Sequence, residues 1–105
     1  MIKPPKKLVI KSNTSELKKV EDFVMDTLEF YRLPLQGFSK IFLCVSEAVI
    51  NSIEHGNKFD KNKNVFIEAQ YIEEKLNFTI IDEGAGFDMA KIDNPTLKKN
   101  IKKEI

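Results

Sequence analysis

The chain has 105 residues, 42% hydrophobic and 31% charged, with 17 basic against 16 acidic side chains and a net charge of +1. That composition describes one globular domain spanning 1–105, without the global field that would steer a chain to nucleic acid or a membrane surface. The longest apolar run is too short to cross a bilayer, no apolar segment follows the lysines of MIKPPKK, and the single Cys44 excludes an internal disulfide and cysteine-ligated zinc, so the cytoplasm is expected.

In chain order, Leu8-Val9-Ile10 with Lys11 and Ser12 predicts a first short strand. Asn13 then caps a helix, with Glu16 three residues on to complete a capping box. Leu17, Val20, Phe23, Val24, Leu28 and Tyr31 recur at helical spacing, and Leu33-Pro34 ends that helix. A second, more apolar helix begins near Phe38 and runs to Gly56-Asn57, a C-terminal stop. Past the polar turn KFDKNKN, Val65 to Ile72 alternates with period two, Glu73-Glu74-Lys75 makes a tight reversal, and Leu76 to Ile81 pairs antiparallel with the first run. The second strand runs into Asp82-Glu83-Gly84-Ala85-Gly86-Phe87-Asp88. Met89 to Ile92 is read as a turn of helix broken by Asn94-Pro95, and the closing KKNIKKEI as a mobile basic tail. Asp60 to Asn64 starts like a calcium loop, but Val65 stands where that loop needs glycine.

The second helix carries the chemistry. At about 100° per residue, Phe38, Phe42, Val45, Val49 and Gly56 share one arc, widened by Ile41, Ala48, Ser52 and Ile53. Glu47, Asn51, Glu54 and His55 cluster opposite, flanked by Cys44 and Ile50, as if they lined a partly dry cleft. Glu47 and Asn51, four apart, project in one direction. Either segment alone is ordinary: surface helices offer such pairs, and turns after strands use Asp and Gly. Their combination supplies what a nucleotide needs.

EAVINSIEHGN and DEGAGFD together resemble the helix motif and the first glycine motif of the histidine-kinase-like (Bergerat-fold) ATPases, with the bacterial anti-sigma-factor serine kinases the most similar branch. The resemblance covers roughly residues 8 to 92. It implies a two-layer α/β sandwich (α+β), in which helices cover one face of a mixed, largely antiparallel sheet and ATP lies across the helical layer. Asp82 would accept a hydrogen bond from the adenine amino group. Gly84 and Gly86 would let the backbone approach the ring and let a following lid bend, with Phe87 closing the motif as a further cofactor-binding position. Asn51 would put its amide oxygen on Mg²⁺, and Glu47 would be the general base, made more basic by partial burial beside Cys44 and Ile50. His55 has two readings, a helix-end capping residue or a group approaching the phosphates. Gly56 would relieve crowding there and admit the ligand.

The family's second glycine-rich motif, final strand and final helix have no counterpart here, since no glycine follows Pro95. An open sheet edge is therefore expected, and with it a homodimer or a segment-exchanged oligomer. The function expected from the resemblance is an ATP-binding anti-sigma-type regulator. In full length it would bind a sigma factor and phosphorylate a serine or threonine on an anti-sigma antagonist, without touching nucleic acid or membrane. The alternative is a non-catalytic partner-binding module of the same fold with structural nucleotide or none.

Overall fold

A computed structural model describes residues 3–84, 87–93 and 100–104, with side chains over 3–84. Five strands follow one another in sequence order across one sheet: β1 (Lys6–Lys11), β2 (Asn64–Ile72), β3 (Lys75–Asp82), β4 (Phe87–Asp93) and β5 (Asn100–Glu104). Every described pairing is antiparallel, so the expected parallel component is not found among these residues. Two helices, α1 (Leu17–Phe30) and α2 (Phe38–Asn51), cover one face. Neither is long and apolar enough to cross a membrane.

Period-two alternation decides which strand residues meet the helices. Ile10, Val65, Ile67, Ala69, Leu76, Phe78 and Ile80 are buried beneath Val20, Val24 and Leu28 of α1 and Ile41, Val45, Ala48 and Val49 of α2. Phe23 meets Phe78 edge to face at 6.5 Å. The same register brings Val9 opposite Phe66 and Phe66 opposite Ile81. This row lies on the sheet's other face and stays 53%, 37% and 44% exposed. Phe38 and Phe42, expected in the core arc of α2, are only half-buried and stack on each other at 5.7 Å.

The capping box forms differently from expectation. Asn13 caps a short 3₁₀ turn, Thr14–Glu16, its Oδ1 accepting from the Ser15 N–H at 2.9 Å. Glu16 reaches back to the Lys11 N–H (3.1 Å), because the Asn13 N–H is already donated to the Lys11 carbonyl. That backbone donor, followed by Lys19, lowers the pKa of Glu16 below the ordinary glutamate value. Helix α1 ends in a Schellman motif: the Leu33 N–H donates to the Leu28 carbonyl and the Arg32 N–H to Glu29. The left-handed position falls on Arg32, at φ 58°. Glu73 and Glu74 are also left-handed, at 54° and 63°, and join β2 to β3 as a two-residue hairpin.

Two expectations about the C-terminal part are corrected. Met89 to Ile92 lies in β4, paired from Lys75↔Asp93 to Ile81↔Phe87, and not in a helical turn. The supposed tail contributes β5, paired with β4 from Met89↔Glu104 to Asp93↔Asn100. The physical reason is of one kind: the unpaired N–H and C=O groups along β3 take β4 as partner and those along β4 take β5, so among the described strands β1 and β5 lie at the ends of the sheet.

Candidate functional site

The alternation that buries Leu76, Phe78 and Ile80 continues one step further and directs Asp82 to the helix-covered side, opposite Val65. There it meets the end of α2. After Asn51 the backbone widens into a π turn, Ser52–Gly56, closed by the Asn57 N–H on the Ser52 carbonyl at 2.7 Å. Such turns recur at functional sites.

Gly56 and Asp82 approach so closely that a Cβ on Gly56 would lie 2.1 Å from Asp82 Oδ2. A Cβ on Gly84 would lie 1.9 Å from the Gly56 carbonyl oxygen. Among the described residues no glycine has a positive φ. Gly84 is therefore required by close approach and not by the torsional freedom expected of it. Its N–H donates to Asp82 Oδ1 at 2.9 Å, fixing a half-buried carboxylate that has no cationic partner among the described residues. Gly86 lies outside the described residues, and Phe87 is described only as the first residue of β4, opposite Ile81.

In the sequence Asn57 signals only a helix stop, yet it is 1% exposed and both ends of its carboxamide are hydrogen-bonded. Its Nδ2 donates to Ser12 Oγ (2.7 Å) and to the Asn64 carbonyl (2.9 Å), while its Oδ1 accepts the Glu83 N–H (2.8 Å). Ser12 Oγ donates in turn to the Lys63 carbonyl at 2.8 Å. One carboxamide thus ties the helix end to β1, β2 and the tip of β3. No periodicity or spacing signals this, because the partners lie 7 to 45 residues away.

Glu47 is exposed and Asn51 half-buried, with Cys44 and Ile50 half-buried beside them. The burial expected to strengthen Glu47 as a base is therefore not found. His55 is exposed beside Glu54 (Nε2 to Oε1 3.9 Å), and the helix end is closed by the Asn57 backbone and not by a His55 cap. Next to it a cleft of about 510 Å³ is walled by His55, Gly56, Lys58, Asp60, Lys63 and Gly84. The Ser52 hydroxyl, directly after Asn51, is buried without a partner among the described residues. No group of three or more His, Cys, Asp or Glu among those residues could hold a metal ion. A metal here would need ligands from a bound molecule or from water.

The anti-sigma F factor of Shouchella clausii is 36% identical over 76 residues, 69% of this chain and 52% of that protein. The anti-sigma F factor of Clostridium perfringens (strain SM101 / Type A) is 39% identical over 54 residues, 51% of this chain and 39% of that protein. The serine-protein kinase RsbW of Bacillus subtilis (strain 168) is 41% identical over 46 residues, 44% and 29% of the two chains. The chain thus spans about half or less of these relatives. The family described as "Histidine kinase-like ATPase domain" matches residues 10–104, which takes in α2, the Asp82 turn and all but the first strand's beginning, and the chain belongs to that family.

Proposed function

We propose that this chain binds Mg-ATP where the end of α2 meets the tip of β3, as the nucleotide-binding part of an anti-sigma-type regulator. The observation that carries the reading is the Asp82 carboxylate, seated over Gly56, held by a backbone N–H and without a cation beside it among the described residues. A carboxylate so arranged suits an amino-group donor, and adenine offers one. Gly56 and Gly84 keep the approach clear of Cβ atoms. In these respects the residues fit the nucleotide.

Asn51 would contribute a carboxamide oxygen to Mg²⁺, a hard cation that retains several waters and shares phosphate oxygens. Bound Mg-ATP would supply the transferable phosphoryl group; the chain's part is to orient it and to receive a proton. Glu47 is assigned that proton, from a hydroxyl brought within hydrogen-bond reach. His55 borders the cleft beside the proposed phosphate path, and Gly86 and Phe87 are assigned to nucleotide binding from the motif they share with Gly84. In the whole protein the reading extends to phosphorylation of a serine or threonine on an anti-sigma antagonist, to binding of a sigma factor, and to a cytoplasmic location.

The alternative, a partner-binding module without catalysis, is favoured by one observation, the exposure of Glu47. Calorimetric titration of Mg-ATP into wild type and Asp82→Asn tests the adenine assignment: binding is expected for wild type and lost in the variant, and equal binding by both overturns it. Phosphoryl transfer by the full-length protein that survives Glu47→Ala would favour the non-catalytic reading of that residue. Self-association is supported by the exposed row of Val9, Phe66 and Ile81 and by the terminal strands of an open five-stranded sheet. A monomer by sedimentation at high concentration would refute it.

A further inference from the structure

We propose that Asn57 is the positioning residue for Asp82, setting the carboxylate's height and angle for the base it is to read. This inference rests on the nucleotide-binding reading above. The Glu83 N–H that Asn57 Oδ1 accepts belongs to the peptide unit joined directly to Asp82 (2.8 Å), so the anchor acts one bond from the residue it orients. The anchor itself is rigid. Asn57 is 1% exposed, its two side-chain donations end on Ser12 Oγ and the Asn64 carbonyl at the ends of β1 and β2, and its own N–H closes the π turn on Ser52.

Consecutive residues therefore handle the two halves of the same problem. Gly56 removes the Cβ that would strike the carboxylate, and Asn57 holds the peptide that carries it. A carboxamide suits the second task because it joins one acceptor and two donors on a short stem without adding charge beside Asp82 and Glu83. Rigid support of a recognition group raises affinity by reducing what must be ordered on binding.

The test separates positioning from bulk stability. Mg-ATP titrations are run on wild type, Asp82→Asn, Asn57→Ala and Ser12→Ala, at a temperature where circular dichroism finds each variant folded. Ser12→Ala removes one partner of Asn57 but leaves the bond to Glu83. It should lower Tm while affinity stays within about threefold of wild type. Asn57→Ala should weaken Mg-ATP by about tenfold or more, with faster hydrogen exchange at the Glu83 and Gly84 amides than in Ser12→Ala. If Asn57→Ala does not fold, Asn57→Ser, too short to reach the Glu83 N–H, takes its place in the comparison. Wild-type affinity in the folded Asn57 variant overturns the inference alone. So does an equal loss of affinity in Ser12→Ala, which would make the effect one of general destabilisation. Wild type that binds no Mg-ATP overturns the proposed function, and this inference with it.

Discussion

Replacing Gly56 with alanine should damage the site through a single atom. The new Cβ would lie 2.1, 2.3 and 2.8 Å from Oδ2, Cγ and Oδ1 of Asp82, inside the contact limit for all three. Asp82 is the part that can give, but rotating it away breaks the 2.9 Å bond from the Gly84 N–H. That bond contributes about 1 kcal/mol, and an off-rotamer aspartate costs about another 1 kcal/mol. Alanine returns about 0.5–1 kcal/mol of backbone entropy in a helical turn. The net loss is therefore about 1 kcal/mol, which for a domain of this size lowers Tm by roughly 4–8 °C. Mg-ATP affinity should fall more than stability does, because the displaced group is the one proposed to read the base. Thermal unfolding and calorimetric titration measure the two effects. The decisive variant is the double one, Gly56→Ala with Asp82→Ala, in which the clash has no partner and the Gly56→Ala penalty should vanish. Additive losses in that cycle, or an unchanged Tm for Gly56→Ala alone, would refute the contact as the cause.

Four further outcomes follow from the same structure. Arg32→Gly should stabilise the chain by about 0.5–1 kcal/mol in chemical denaturation, since glycine accepts the left-handed φ of 58° at the end of α1 without strain. Glu73→Asn with Glu74→Gly should add about 1 kcal/mol by giving the β2–β3 hairpin the residues its turn prefers, again read from the unfolding midpoint. Because the folded pKa of Glu16 is depressed, its ionised form stabilises the fold above the ordinary glutamate range and that contribution is lost as pH falls. Unfolding of wild type and Glu16→Gln should thus differ at neutral pH and converge as the pH falls through and below the ordinary glutamate range. Phe78→Ala, a fully buried ring against Phe23, should cost about 3–5 kcal/mol and shift the thermal transition accordingly.

Local periodicity was enough to read the strands β1 to β3, both helices and the β2–β3 reversal, because one buried face per element imprints its repeat on the residues. The two segments of the site were legible for a different reason, their likeness to a family's motifs. The strand character of Met89 to Ile92 was not legible, since it comes from pairing with β3 and not from a local preference of those residues. Nor was the exposure of Glu47, which depends on what the rest of the fold leaves uncovered along α2.

What the sequence by itself determined is the alternation that aims Asp82 to the same side as Ile80 and the helical repeat that gathers Glu47 and Asn51 on one side of α2. Only the tertiary structure decided that Gly56 lies beneath the Asp82 carboxylate, that Gly84 is needed for space and not for torsion, and that Asn57 holds the turn between them. The physical reason is range. Periodicity reports which side of its own element a residue faces, whereas contacts between residues 26 positions apart arise only when the sheet and the helices close on one core.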